Sequence, residues 1–272
     1  MTSKAGVIGW PVNHSKSPLI HNHWLDRYSI VGTYEAIAVQ PNALKDSIAR
    51  MVDAGFRGFN ITVPHKQAVM DHVDFLRADA ERIGAVNTVV IAPDGTLEGR
   101  NTDAFGFIAN LKLSAPDFNL RGGPAVVIGA GGAARAVIYA LQKEGVDNIR
   151  IINRTLQRAR ELADEFPPCV GAAWERLPDL TKDANLIVNT TTLGMAGHPP
   201  LDLDFSRVNP GALVHDIVYA PLETPLLRDA RKNGNRVVTG IGMLLHQARP
   251  AFEAWFGVMP DVDPDLVKKV LA

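Results

Sequence analysis

The feature that most constrains this chain is a glycine motif lodged between an apolar run and a helix-forming run. Ala125-Val126-Val127-Ile128 leads into Gly129-Ala130-Gly131-Gly132-Ala133-Ala134, and helical spacing follows as far as Lys143. G-x-G-x-x-A between a strand and a helix is the fingerprint of a dinucleotide site. Gly129 permits the tight turn, Gly131 lets the backbone approach a pyrophosphate, and Ala134 keeps the helix close to the strand. Ala130, Gly132 and Ala133 complete the loop, whose unpaired N–H groups at the helix start favour an anion. The competing reading is a glycine-rich turn that holds no ligand, and the flanking strand and helix argue against it.

The next strand selects the carrier. An NAD site usually ends that strand with a carboxylate on the ribose 2′-hydroxyl. Here it ends in Asn153-Arg154-Thr155, with Arg158 one turn further on. A carboxylate would repel a 2′-phosphate, whereas an arginine attracts one and can stack on adenine, so NADP is favoured. Solvated charges at a helix start are the bland alternative for both arginines.

Strand and helix patterns alternate through both halves of the chain. Strands are expected at 7–9, 33–39, 59–63, 125–128, 149–152, 186–189, 213–218 and 237–238, with a hairpin of 86–91 and 96–99 around Pro93-Asp94-Gly95. Helices are expected from Leu19, over 42–54, through most of 66–83, and over 102–113, 133–143 and 156–166. The alternation predicts an α/β protein with mostly parallel sheet. At 272 residues the chain suffices for one large domain or two modest ones.

A net charge of -1, without a basic block, gives no reason to expect nucleic acid or an anionic membrane as partner. No signal peptide and no spanning segment is expected. The lone cysteine, Cys169, excludes an internal disulfide and a cysteine-built metal site; a cytoplasmic setting is expected, and no metal.

The candidate chemistry lies in the first half. Lys66 follows Asn60-Ile61-Thr62-Val63-Pro64-His65 at the mouth of a buried strand, and Asp103 follows Asn101-Thr102 near a helix start. Strand ends are where α/β folds place ligands. A lysine ammonium can give a proton to an alkoxide as hydride reaches a carbonyl, and neutral lysine can take it back. A nearby carboxylate favours the ammonium, and burial opposes it. Taken singly, such residues are more often surface charges. What lifts them is a third segment, Asn13-His14-Ser15-Lys16-Ser17-Pro18. Its two hydroxyls can bind a carboxylate or ring hydroxyls; alternatively Ser17 caps a helix with Pro18 at its first position. His65 is also weighed as a base, but packing or hydrogen bonding is the preferred role for it, as for His14 and His246.

These motifs, with Gly9-Trp10-Pro11, Gly84-Ala85-Val86-Asn87-Thr88, Asn189-Thr190-Thr191-Thr192-Leu193-Gly194-Met195, Asp216-Ile217-Val218-Tyr219, Thr224-Pro225-Leu226-Leu227 and Gly240-Ile241-Gly242-Met243-Leu244-Leu245-His246-Gln247, resemble the shikimate dehydrogenase family from Gly9 to about Gly257. The resemblance implies Lys66 as acid/base residue and Asp103 as its partner. It implies Ser15 and Ser17, helped by Tyr219, as carboxylate binders. Thr62, Asn87 and Gln247 are implied as hydrogen-bonders to ring hydroxyls or to the pair. Ile217, Gly240 and Met243 are implied beside the nicotinamide. It further implies reversible NADPH-dependent reduction of 3-dehydroshikimate to shikimate in aromatic amino-acid biosynthesis. The implied architecture is a discontinuous α/β substrate domain, 1–103 plus 240–272, and a Rossmann-type NADP domain, 104–239, with the active site in a cleft between them. The small-molecule substrate would be served by a monomer or homodimer.

Departures from the family pattern are small: Thr190-Thr191-Thr192 where Ala-Thr-Ser is commoner, Thr239 where Asp is common, and His65 where an aromatic also occurs. The close alternative is a quinate/shikimate dehydrogenase of broader substrate and cofactor use; Arg154 and Arg158 argue against its NAD preference. An amino-shikimate enzyme is a further variant. A non-catalytic NADP-binding protein on the same fold is a different class, and the presence of both Lys66 and Asp103 opposes it.

Overall fold

The computed structural model describes residues 3–272. In chain order the first part runs β1 (Ser3–Gly9), α1 (Ser17–Arg27), β2 (Gly32–Ala38), α2 (Leu44–Asp53), β3 (Phe56–Ile61), β4 (Phe75–Leu76), α3 (Ala78–Ile83), β5 (Thr88–Ile91) and β6 (Leu97–Arg100). Then come α4 (Asp103–Ser114), β7 (Ala125–Ile128), α5 (Gly132–Lys143), β8 (Ile149–Asn153), α6 (Leu156–Glu165), β9 (Val170–Ala173), α7 (Leu177–Leu180), β10 (Leu186–Asn189), β11 (Leu213–Asp216), α8 (Pro225–Lys232) and β12 (Arg236–Val238). Helices α9 (Ile241–Phe256) and α10 (Pro264–Leu271) complete the order. The residues form two compact units: the described residues up to Asp103 with Leu245–Ala272, and Ala104–Leu244.

The first unit holds a sheet in the order β2-β1-β3-β5-β6-β4. β1 runs parallel to both neighbours, while the hairpin β5–β6 brings antiparallel pairing into one half of the sheet. Register decides which residues share an edge. Asn60 lies opposite Thr88, and Thr88 opposite Arg100. The residues just beyond those rows therefore gather at one edge: Asn87 before β5, Asn101 to Asp103 after β6, and the segment leading from β3 to Lys66. The core beneath joins Leu44, Ile48 and Met51 of α2 to Phe59, Ile61, Val86 and Val89.

The second unit holds a fully parallel sheet in the order β12-β11-β10-β7-β8-β9. Its strands read as continuous apolar runs because both faces are covered: Val126, Ile128, Ile187 and Val214 all lie in one core cluster. Ile128, Asn189 and Asp216 fall in one row, so the loops after β7, β10 and β11 leave the sheet side by side. The fold is α/β with mostly parallel sheet, as expected.

One expected helix fails, and β9 and α8 are not among the expected elements. The stretch 66–83 is not mainly helical: a short 3₁₀ turn at Ala68–His72 gives way to β4 before α3 begins. Asp74 explains the break. Its backbone N–H donates to Leu97 O at 3.0 Å and its carboxylate accepts from Leu97 N at 2.7 Å, so pairing with β6 overrides the local spacing. Strand β9 carries little signal in the sequence. Its Val-Gly-Ala-Ala sequence is weak in β propensity, but a Cβ on Gly171 would stand 2.5 Å from the Ala159 backbone, so only glycine lets α6 lie this close. Among the described residues no helix is long and apolar enough to cross a membrane.

Candidate active site

Lys66 leaves the end of β3 and is held by its own backbone: Val86 N–H donates to Lys66 O at 2.7 Å. Its Nζ donates to Asp103 Oδ2 at 2.5 Å, with the lysine side chain 18% and the aspartate 8% exposed. The other carboxylate oxygen, Oδ1, accepts from Asn87 Nδ2 at 2.9 Å. Asp103 is the first residue of α4, and its N–H is taken by Asn101 Oδ1 at 3.0 Å, an Asx turn that sets the helix entry. An anion at a helix start is also favoured by the helix dipole.

Asn87 is the hub of this arrangement. Its Nδ2 also reaches Thr102 Oγ1 at 3.0 Å and Gln247 Oε1 at 3.3 Å, while its Oδ1 accepts from Thr102 N at 2.8 Å and Thr88 Oγ1 at 3.0 Å. Asn60 braces it from behind, donating to Asn87 O at 3.1 Å and Thr88 Oγ1 at 3.0 Å, and Tyr34 OH donates to Asn60 Oδ1 at 2.7 Å. The structure thus brings Lys66, Asp103, Asn87 and Gln247 into one hydrogen-bonded cluster. The sequence motifs assign no role to Thr102, Asn60 and Tyr34; the signal for them is a polar residue inside an otherwise buried stretch, since all three are less than a tenth exposed.

Thr62 stands at the end of β3, its N–H on Ile8 O at 2.9 Å and its methyl so near Gly9 that a Cβ there would meet it at 2.4 Å. Ser17 is the first residue of α1 and not its cap. Lys16 occupies the cap with helical backbone angles and no side-chain bond. Lys16 lies in the helical region and so lacks the extended geometry usual for a side-chain cap. The Ser17 hydroxyl instead stabilises the ionised form of Tyr34, although burial pushes that phenol well up. Ser15 Oγ accepts from Ser17 N at 3.3 Å. His65 is 1% exposed, and its Nε2 lies 2.7 Å from Val39 O, a hydrogen-bonding anchor beside Lys66. His246 is buried, which together with Arg249 lowers its pKa.

The remaining candidates lie in the second unit. Gly129 has a φ of +117° and donates to Ile152 O at 2.7 Å; a Cβ there would stand 2.5 Å from Thr190 Oγ1. Gly131 caps α5 in extended geometry, and a Cβ on it would meet nothing within 4 Å. Open space therefore faces the helix start, where the first N–H groups lack helical partners. Ala134, fully buried, seats α5 on the sheet. These features fit a pyrophosphate. At the end of β8 the Asn153 amide donates to Thr155 O at 3.0 Å, and Arg154, Thr155 and Arg158 are exposed. Neither arginine has an ion-pair partner among the described residues. With no carboxylate at the strand end, the set fits a 2′-phosphate.

Ile217 and Gly240 lie against each other: a Cβ on Gly240 would stand 2.2 Å from Ile217 O. Met243 follows on the first turn of α9 and is buried. Tyr219 sits in the loop after β11, where burial raises its phenol pKa. Among the described residues no group of three or more His, Cys, Asp or Glu could hold a metal ion.

Comparison with known proteins gives three family matches. Residues 7–89 match the shikimate dehydrogenase substrate binding domain, 111–194 the shikimate / quinate 5-dehydrogenase family, and 240–266 the shikimate 5′-dehydrogenase C-terminal domain. Shikimate dehydrogenase (NADP(+)) of Rhodospirillum rubrum is 53% identical over 98% of this chain and 96% of its own. Shikimate 5-dehydrogenase of Thermus thermophilus, solved with NADP(H) and shikimate, superposes with a TM-score of 0.88 at 39% identity, covering 99% of this chain and 98% of that one. Quinate dehydrogenase of Corynebacterium glutamicum, solved with NAD, gives 0.90 at 33% identity, covering 99% and 97%. The chain belongs to the shikimate dehydrogenase family.

Proposed function

We propose that this chain catalyses the reversible, NADPH-dependent reduction of 3-dehydroshikimate to shikimate, with Lys66 as proton donor and Asp103 as its partner. The observation that carries the chemistry is the Lys66–Asp103 contact at 2.5 Å, locked from the far side by Asn87. NADPH, when bound, supplies the hydride to the carbonyl carbon. Lys66 then gives its proton to the carbonyl oxygen, and in the reverse direction neutral lysine takes the proton from the hydroxyl. The Asp103 carboxylate aims the lysine; Asn87 holds its other oxygen, and Gln247 in turn bonds Asn87.

Ser15, Ser17 and Tyr219 are proposed to bind the substrate carboxylate, and Thr62, Asn87 and Gln247 its ring hydroxyls. The loop Gly129 to Ala133 would hold the pyrophosphate, and Asn153, Arg154, Thr155 and Arg158 the adenosine 2′-phosphate. Ile217, Gly240 and Met243 would flank the nicotinamide. This divides the chain into a substrate part, 1–103 with 240–272, and a cofactor part, 104–239. The hydrogen-bonded cluster around Lys66 comes wholly from one chain, so the reading asks nothing of a second subunit, and the working form is a monomer or homodimer in the cytoplasm.

A broader quinate/shikimate activity is the second reading, favoured by the match to the shikimate / quinate family and by the quinate dehydrogenase fold. The 53% identical relative carries the NADP shikimate name, and the free arginines at the β8 end point the same way. Purified protein offered shikimate and quinate, each with NADP and with NAD, separates them. Turnover of shikimate with NADP alone is expected. Comparable quinate or NAD turnover moves the chain to the broad branch, and no turnover with any pair brings forward the amino-shikimate and non-catalytic readings.

A further inference from the structure

Asp216 is fully buried at the end of β11 and has no ion-pair partner among the described residues. Its carboxylate collects donors from three segments. Oδ1 accepts from Asn189 Nδ2 at 2.9 Å and from Val218 N at 3.0 Å, and Oδ2 accepts from Thr224 Oγ1 at 2.6 Å. Each donor organises a further piece of chain. Asn189, itself fully buried, donates to Leu193 O at 3.0 Å and accepts from Thr191 N and Oγ1 at 3.0 and 2.7 Å, which shapes the loop after β10. Thr224 caps α8, accepting from Leu227 N at 3.4 Å. Val218 belongs to the loop after β11, between Ile217 and Tyr219.

We propose that Asp216 is a positioning residue for hydride transfer: its buried carboxylate ties the loop after β10, the loop after β11 and the first turn of α8 together, and so fixes where Ile217 and Tyr219 stand. This inference rests on the dehydrogenase reading above. Ile217 is held from both sides, its N–H on Asn189 O at 3.1 Å and its carbonyl packed against Gly240. A shift of the carboxylate therefore moves the surface assigned to the nicotinamide.

The residue type follows from the donors. Three donors meeting at one point require a group that only accepts, and among side chains that is an ionised carboxylate. The cost is a buried charge, which is unfavourable unless well hydrogen-bonded. Burial pushes the Asp216 pKa up to about 6, against the opposing pull of Thr224, Val218 and Asn189. No charged neighbour takes part. His215 points away to stack on Phe107 at 5.0 Å, and the Tyr219 phenol is itself raised by burial. Glu223 is paired with Arg231 at 3.3 Å, and Arg228 with Asp229 at 3.2 Å. Protonation of Asp216 turns one acceptor into a donor and leaves one of the incoming groups without a partner.

The test uses the full chain with Asp216→Asn, Thr224→Val and Thr224→Ser. Thermal unfolding, amide hydrogen exchange of residues 217–223 without cofactor, and kcat and KM for shikimate and NADP across a pH series are measured. Asp216→Asn and Thr224→Val are expected to unfold cooperatively, exchange these amides about tenfold faster and lose about tenfold in kcat/KM, the scale of one hydrogen bond to a charged group. Thr224→Ser, which keeps the hydroxyl, is expected to restore both. In the wild type kcat/KM should fall on the acid side near pH 6, where Asp216 protonates, and Asp216→Asn should lack that limb. Should Asp216→Asn fail to fold, the Thr224 pair decides. Wild-type exchange and kinetics in Thr224→Val, with an active wild type, overturn this inference alone; a wild type that turns over no shikimate overturns the dehydrogenase reading itself.

Discussion

Asn87 Nδ2 lies 2.9 Å from Asp103 Oδ1, on the side of the carboxylate opposite to Lys66. That single contact converts a salt bridge, which alone could rotate, into a fixed carboxylate with one oxygen reserved for the lysine. Proton transfer needs a donor held within hydrogen-bond reach of the reacting oxygen, and geometry of this kind supplies it.

Lys66→Ala is therefore expected to lower kcat for shikimate oxidation by about 10²–10⁴-fold, the range for loss of general acid–base catalysis. NADPH affinity, read by fluorescence titration, should change little, because Lys66 lies in the unit that lacks the glycine loop. A variant with near-normal turnover would remove Lys66 from the proton-transfer step.

Arg154→Ala tests the cofactor assignment. The guanidinium is exposed and has no protein partner among the described residues, so its removal leaves no orphaned group and should not disturb the fold. Loss of a charge-assisted contact to phosphate corresponds to about 1.5–3 kcal/mol, or roughly tenfold or more in affinity for NADPH. NADH has no 2′-phosphate, and its binding should hardly change. Equal losses for both carriers would refute the 2′-phosphate role.

Much of the fold and site is legible in the residues alone, and the two missed strands share a cause. The Gly129 loop, the Arg154 strand end and the β5–β6 hairpin are local signals, set by residues adjacent in sequence. Strand β4 and strand β9 are not. The first exists because Asp74 finds Leu97, and the second because Gly171 fits beneath the Ala159 backbone. The site divides in the same way. Lys66 and Asp103 stand out by type and setting, whereas Asn60 and Thr102 acquire meaning only from partners far along the chain, and Asp216 from Asn189 as well as from its own loop. Ser17 resembles a helix cap because Pro18 follows it, but the helix begins one residue earlier than that reading requires.

Tyr34→Phe probes the bracing layer behind the site. The Tyr34 hydroxyl is the donor to Asn60 Oδ1 at 2.7 Å, in a buried setting. Removing it leaves the Asn60 carbonyl unsatisfied, which costs about 1–3 kcal/mol. Because Asn60 in turn supports Asn87, kcat should fall modestly while the melting temperature drops. An unchanged melting temperature would mean that the Asn60 carbonyl has found another donor.

His21 contributes to the response to acid. It is fully buried, stacked on Tyr34 with centroids 4.1 Å apart, and neither ring nitrogen makes a well-formed hydrogen bond among the described residues. Burial lowers its pKa from 6.5 to about 3, against a weaker opposing pull from the Asn60 side chain. The unfolded chain thus takes up a proton on this ring near pH 6.5, and the folded chain does not. The stability this neutral ring contributes is fully present above pH 6.5 and is lost as pH falls through 6.5 toward 3, at up to about 1.4 kcal/mol per pH unit for one proton. His215, buried and lowered to about 3 as well, adds the same sign. Asp216, raised to about 6, works the other way between its unfolded and folded values and offsets one of the two. His21→Phe keeps an aromatic ring in the stack while removing both nitrogens. It should leave the fold at neutral pH at least as stable, and should flatten the dependence of urea-unfolding free energy on pH between about 6 and 4 by close to one proton's slope. An unaltered slope would show that His21 is protonated or hydrogen-bonded in the folded protein.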